Sequence, residues 1–261
     1  MKNKRKIKEL GQHFLVNEEI LELEAKIADI EGKKVIEIGA GDGRLTQKLL
    51  EKKPKEIIAI EIDKKLCEIL KKKFSKNKKV KILEKDFLKV NIKKIDRIVG
   101  NIPYSQTSKI ILKLSKIEFE KAIIMLQKEV GLRMLAKPAS SEYGRLSVFC
   151  QAYFDIKPVY IVNKENFSPI PKVDSIILKI TKKNIKIPEN FEKITAAIFS
   201  HRLEKLKNAI FHSRKIFGKS KEEIKKIIKK LKNKDKKVFM LELSEIIDLA
   251  NELEREGVKI V

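Results

Sequence analysis

The chain has no tryptophan, and among its 261 residues only two are cysteine and three histidine. Cys67 and Cys150 stand alone, without a CxxC pair or a histidine cluster. That spacing indicates neither a disulfide framework nor a zinc site, and it points to the cytoplasm and to metal-free chemistry. No apolar run approaches the ~20 residues that a membrane span needs, so a membrane is not expected as partner. The segment Met1 to Lys8 is basic and has no apolar core, so it is not expected to be a secretory signal. Acidic residues are in short supply. Asp and Glu total 36 against 60 Lys and Arg, a formal net charge of +24. Such an excess favours a polyanion as partner, with nucleic acid the first candidate. A merely lysine-rich solvated surface is the competing reading, although surface lysines are usually accompanied by glutamate. No internal repeat is present, and no exposed apolar seam calls for a dimer, so a monomer is expected.

What is present reads as an α/β chain followed by helices. A chain of this length can bury a full core and carry one large and one smaller domain. Short apolar runs alternate with helical spacing over the first two-thirds, the pattern of a mostly parallel sheet. Strands are expected at Lys34–Ile38, Ile57–Ile62, Val80–Leu83, Arg97–Gly100 and Lys121–Leu126, with helices at Leu45–Lys52 and Lys64–Phe74. Val159–Val162 and Asp174–Ile180 flank a proline-rich segment and read as a closing antiparallel pair. Composition shifts near Lys182–Pro188, which places domains at 1–181 and 182–261. In the second, Phe199, Leu203, Leu206 and Ile210 fall at helical spacing and are expected on one face. Ser220 with Glu223 makes a capping box ahead of an apolar stripe, and Ser244 is expected to cap a last helix that Gly257 ends.

Two motifs carry chemistry. The first is Val35-Ile36-Glu37-Ile38-Gly39-Ala40-Gly41-Asp42-Gly43, a strand running into a glycine-rich turn, then Arg44-Leu45-Thr46 opening a helix. Gly39 and Gly41 let the backbone approach a ligand closely. The spacing is G-x-G-x-G, and no glycine sits inside the helix for a pyrophosphate. Glu61 ends the next strand, placed for ribose hydroxyls. Asp86-Phe87 follows the strand after that, where Asp86 can accept from an adenine amino group while Ile62 or Phe87 touches the ring. Together these describe an adenosyl pocket at strand carboxyl ends, where open α/β sheets bind ligands. Read singly, Glu61 and Asp86 are ordinary surface carboxylates.

The second motif is Asn101-Ile102-Pro103-Tyr104, after the apolar run Arg97-Ile98-Val99. Proline fixes φ and cannot donate, so main-chain carbonyls are left beside the Asn101 amide oxygen. Those acceptors suit an exocyclic amine on a flat base, and Tyr104 can stack on the ring. A polar turn at a strand end is the plainer reading of the same residues.

These blocks, with Leu10-Gly11-Gln12-His13-Phe14-Leu15, Tyr143-Gly144-Arg145-Leu146-Ser147-Val148 and Phe167-Ser168-Pro169-Ile170-Pro171-Lys172-Val173-Asp174-Ser175, resemble the KsgA-like ribosomal RNA small-subunit adenine N6,N6-dimethyltransferase family. They run in order over most of the chain. His13 stands where bacterial members usually carry Asn, and an archaeal-type member is expected. The resemblance implies a Rossmann-like class I methyltransferase sheet with a small all-α C-terminal domain. It implies that His13, Leu15, Gly39, Glu61, Asp86 and Asn101 contact S-adenosyl-L-methionine. It also implies that Phe167 joins Tyr104 in clamping the target adenine, whereas composition alone makes Phe167 a core aromatic beside a Pro-x-Pro turn.

The implied reaction is dimethylation of N6 on two adjacent adenosines in the 3′-terminal hairpin of small-subunit (16S-type) rRNA, on an assembling small subunit. Two other readings stay open: an Erm-like enzyme acting on large-subunit rRNA, and a ribosome-assembly factor acting by binding. The stretch Glu242 to Leu253 looks more KsgA-like than Erm-like. For the RNA, Lys4, Arg5 and Lys6 with their basic neighbours read as a phosphate-tracking arm. His201, Arg202, Lys205 and Lys207 are expected on the first helix of the small domain, where the family carries a basic cluster. Leu203 and Glu204 interrupt that cluster.

Overall fold

The computed structural model describes residues 13–258. Nine strands occur among them: β1 (Phe14–Leu15), β2 (Lys34–Ile38), β3 (Glu56–Glu61), β4 (Val80–Glu84), β5 (Arg97–Asn101), β6 (Lys121–Gln127), β7 (Phe154–Val162), β8 (Phe167–Ser168) and β9 (Ser175–Lys182). Seven form one sheet in the order β4-β3-β2-β5-β6-β9-β7. The first five run parallel, and β9 is antiparallel to both β6 and β7. Strands β2, β5 and β6 are buried along nearly their whole length. Their largely apolar character, with Glu37 and Arg97 the buried exceptions, reflects helices covering both faces of a parallel sheet.

Strand order reverses between β2 and β5, and this switch point positions the site. Ile38 pairs with Gly100 there. A Cβ on Gly100 would lie 2.6 Å from the Ile38 carbonyl oxygen. Only glycine lets the two strands approach so closely at the end where both chains leave the sheet.

The chain divides into two compact units. Among the described residues the sheet unit comprises 13–131 together with Phe154–Lys182, and the helical unit comprises Leu132–Tyr153 with 183–258. The segment Leu132–Tyr153 therefore departs from the boundary expected near residue 181. Tyr143, Val148 and Ala152 are buried in the same apolar cluster as Phe191, Ile198 and Leu249. The Tyr143 hydroxyl donates to the Leu241 carbonyl at 2.9 Å, which satisfies its one polar atom inside that core.

In the helical unit the stripe drawn through Phe199, Leu203, Leu206 and Ile210 is broken. One helix spans Phe191–Phe199 and the next Leu206–His212. Between them the chain pairs with Lys236–Phe239: Val238 N–H donates to Glu204 C=O, Phe239 N–H to Arg202 C=O, and Leu206 N–H to Lys236 C=O. Those carbonyls are thus unavailable to a continuing helix, and Leu203 is left 65% exposed. The Ser220–Glu223 capping box is present, and Ile224, Ile227 and Leu231 behind it are buried. Ser244 does not cap the last helix, Leu243–Arg255. Glu242 occupies the cap, its N–H donating to Glu245 at 2.8 Å. That helix does stop at Gly257, where Gly257 N–H reaches Glu254 C=O and Val258 N–H reaches Leu253 C=O, a Schellman closure.

Candidate active site

The glycine turn leaves β2 and is held from the neighbouring strand. Gly39 and Ala40 N–H groups both donate to Ile60 C=O, and Gly41 N–H donates to Glu61 Oε2 at 2.9 Å. Gly41 has φ +59°, and a side chain there would meet the Phe14 ring at 3.1 Å. Glu61 is 5% exposed, and its Oε1 accepts from Ile62 N–H at 2.8 Å and Asp63 N–H at 2.9 Å. A carboxylate offers about four acceptor sites, so Glu61 builds the turn and keeps roughly one site for a ligand hydroxyl. Beneath the turn, Glu37 is buried and takes a hydrogen bond from the Thr46 hydroxyl at 2.6 Å. Burial pushes its carboxyl up to about 8.

Just past the end of β3, Ile62 is 61% exposed, an apolar side chain turned largely to solvent. Asp86 caps the turn Phe87–Lys89 by accepting from Leu88 N–H at 2.9 Å. Phe87 is buried, with the Lys113 ammonium 4.8 Å over its ring. An exposed aliphatic side chain, a buried aromatic and a carboxylate line one cleft, a combination suited to a flat heterocycle.

The Asn-Ile-Pro-Tyr segment closes the other side. Ile102 is buried, and its N–H donates to Met125 C=O at 3.0 Å, which anchors the turn to β6. Pro103 C=O accepts from Gln106 N–H at 3.0 Å, so this carbonyl is already engaged within the turn. The Tyr104 hydroxyl is 2.8 Å from Ser175 Oγ, and burial raises its pKa. His13 lies near Tyr104, ring centroids 6.2 Å apart and planes 24° from parallel. His13 is held there by Nδ1 at 2.7 Å from Pro169 C=O and by the pairing of β1 with β8, which sets Leu15 opposite Phe167.

Every catalytic and donor-site candidate read from the sequence lines one cleft of about 420 Å³: His13, Leu15, Gly39, Gly41, Glu61, Ile62, Asp86, Phe87, Asn101, Ile102, Pro103, Tyr104 and Phe167. Phe167 is only 4% exposed, so it forms wall and core at once. Five buried side-chain oxygens lack a partner among the described residues: both of Glu24, Asn101 Oδ1, Gln106 Oε1 and Thr195 Oγ1. Asn101 and Gln106 line the cleft, and the Asn101 amide lies near enough to Glu24 to influence its ionisation without meeting hydrogen-bond geometry. Burial drives the Glu24 carboxyl up to about 8; the amide opposes that rise and the Glu37 charge adds to it. Unpaired buried acceptors are costly. Around this cleft they define a demand for N–H donors or positive charge.

Sequence reading missed Glu24 and Gln106. Glu24 sits on the helix Glu18–Ala28 at a position that stays inside the apolar face, next to Leu21, Ala25 and Ala28, and a carboxylate in such a stripe is the signal that was available. Gln106 lies two residues past Tyr104, where only the turn geometry turns it inward.

The RNA-facing candidates fare differently. Lys4, Arg5 and Lys6 lie outside the described residues. His201 and Arg202 sit in the turn after Phe191–Phe199, while Lys205 caps and Lys207 lies within Leu206–His212, so the four do not share one helix. Arg202 donates to Ser141 C=O at 2.7 Å, and Lys207 pairs with Asp235 at 2.7 Å. Glu204 gathers His201 at 3.6 Å and His212 at 3.4 Å. Among the described residues Lys205 alone of the four has no such side-chain partner. No described helix is long and apolar enough to cross a membrane, and no described group of His, Cys, Asp or Glu is arranged to hold a metal.

Sheet order, switch-point turn and acceptor-lined cleft define a Rossmann-like class I methyltransferase. Comparison with known proteins sharpens this. Residues 2–250 match the family model described as ribosomal RNA adenine dimethylase, and the chain belongs to that family. A Mycoplasmopsis pulmonis protein named ribosomal RNA small subunit methyltransferase A is 39% identical over 249 residues, 90% of this chain and 98% of the relative. A crystal structure of a dimethyladenosine transferase from Plasmodium falciparum superposes with a TM-score of 0.85 at 27% identity, covering 95% of this chain and all of that one. The 23S rRNA methyltransferase ErmE gives 0.67 at 22% identity, covering 92% and 99%, a likeness of fold alone.

Proposed function

We propose that this enzyme transfers methyl groups from S-adenosyl-L-methionine to N6 of two adjacent adenosines in the 3′-terminal hairpin of small-subunit (16S-type) rRNA, as a cytoplasmic monomer acting on an assembling small subunit. The observation that carries the reading is Asn101 Oδ1, a buried acceptor without a partner at the switch point of the sheet. The residues around it fit an adenosyl donor: Glu61 retains acceptor capacity for a ribose hydroxyl, and Asp86 with Ile62 and Phe87 forms the base slot. His13 and Leu15 complete that wall.

When bound, the donor supplies an electrophilic methyl group on a positively charged sulfur. The chain contributes alignment. An adenine N6 lone pair is delocalised into the ring, so the amine is a weak nucleophile until its hydrogens are held and its geometry fixed. Asn101 Oδ1 accepts one N–H, aims the lone pair into the cleft and stabilises positive charge developing on nitrogen. The proline-fixed turn adds its remaining main-chain carbonyl, that of Ile102. Tyr104, tethered to Ser175, stacks on the extruded base, a contact worth about 1–3 kcal/mol. Phe167 backs that surface. Lys4, Arg5, Lys6 and the group His201, Arg202, Lys205 and Lys207 supply phosphate contacts, with Lys205 the least committed to internal partners.

The small subunit is preferred over the large because the near-full-length relative at 39% identity bears the small-subunit name, whereas the 23S enzyme shares only the fold. Transfer of labelled methyl groups from S-adenosylmethionine tests this on unmethylated small and large subunits in parallel. Label should enter the small subunit only, and Asn101→Ala should abolish transfer while still sedimenting with the subunit. Label in the large subunit would favour the Erm-like reading. Binding without transfer by the unaltered protein would favour an assembly factor.

A further inference from the structure

Gln106 has no role in the account above, yet its amide oxygen is buried, lines the cleft and has no partner among the described residues. An unpaired buried acceptor is costly, so a ligand donor is the economical explanation. Its placement selects the ligand. Gln106 N–H is bound to Pro103 C=O, and the helix that follows at once, Thr107–Ser115, is tied to the Phe87–Lys89 turn by Lys113, whose ammonium donates to the Phe87 and Val90 carbonyls. Gln106 therefore heads the helix that packs on the Asp86–Phe87 side. Tyr104 is pinned to Ser175 on the other.

Resting on the donor-site reading, we propose that Gln106 is a specificity-determining residue: its amide oxygen accepts the second N–H of the donor's adenine amine, the first going to Asp86. An exocyclic amine has two hydrogens, and Asp86 already spends one oxygen on Leu88 N–H. Two acceptors converging on one amine read it stringently. A 6-oxopurine would set a carbonyl oxygen against both and leave them unpaired, the situation in which discrimination becomes large.

Calorimetric titration with S-adenosylhomocysteine and S-inosylhomocysteine tests this on the full chain, using the unaltered protein, Gln106→Leu and Gln106→Glu. The unaltered protein should prefer the adenosyl ligand by well over tenfold. Gln106→Leu should shrink that ratio about tenfold, the effect of losing one buried hydrogen bond. Gln106→Glu, which keeps an acceptor oxygen, should retain the preference. An unchanged ratio in Gln106→Leu overturns the inference, and it does so equally if transfer to RNA falls instead, since Gln106 would then serve the target base. Failure of the unaltered protein to bind either ligand would sink the donor-site reading itself.

Discussion

Glu24→Gln should flatten the pH dependence of stability while leaving the cleft intact. In the native chain Glu24 is wholly buried, and its carboxyl titrates near 8 instead of its ordinary 4.5, chiefly because burial disfavours the charged form. The folded pKa lies above the unfolded one, so the contribution to stability is complete below about pH 4.5. It is lost progressively as pH rises toward 8, because the unfolded chain ionises and the folded one does not. One pH unit corresponds to about 1.4 kcal/mol, so by pH 7 this one group costs on the order of 3 kcal/mol. Glutamine keeps the shape but cannot ionise. Urea denaturation followed by far-ultraviolet circular dichroism at pH 5, 6, 7 and 8 measures the difference. The variant should match the parent near pH 5 and gain midpoint steadily above it, with the remaining slope due to Glu37, which is raised in the same way. Parallel curves across the range would show instead that Glu24 is ionised or paired in the folded protein.

Other substitutions follow from particular contacts. Gly100→Ala should destabilise the sheet unit by about 1–3 kcal/mol in a thermal melt, because the new methyl would sit 2.6 Å from the Ile38 carbonyl. Tyr143→Phe should cost about 1–3 kcal/mol by leaving the Leu241 carbonyl unpaired in the helical unit. Tyr104→Ala should raise the KM for RNA by about 5- to 150-fold, the equivalent of one lost stacking contact, without a matching change in donor affinity.

The central sheet was legible because its strands are short, apolar and regularly spaced, and each expected strand appears within a few residues of its place. The start of β7 was harder to see. Its opening residues, Phe154-Asp155-Ile156-Lys157-Pro158, break the apolar run with an acid, a base and a proline, so Phe154–Pro158 passed for something other than strand. In the helical unit periodicity misled at Leu203, since backbone pairing with Lys236–Phe239 has no signature in helical spacing. The domain boundary failed for a related reason: Leu132–Tyr153 is far in sequence from the helices whose core it shares. The motif residues that line the cleft stood out in the sequence because most are glycine, acid, amide or aromatic at short, fixed intervals. Glu24 and Gln106 were not, because their significance is what they lack, a partner, and that is visible only in three dimensions.

The reaction is defined by its product. Nucleoside mass spectrometry of small-subunit rRNA, after incubating unmethylated subunits with the chain and S-adenosylmethionine, tests it most directly. N6,N6-dimethyladenosine should form with the unaltered chain and not with Asn101→Ala. Unmodified adenosine in both samples, or the same yield from both, would contradict it.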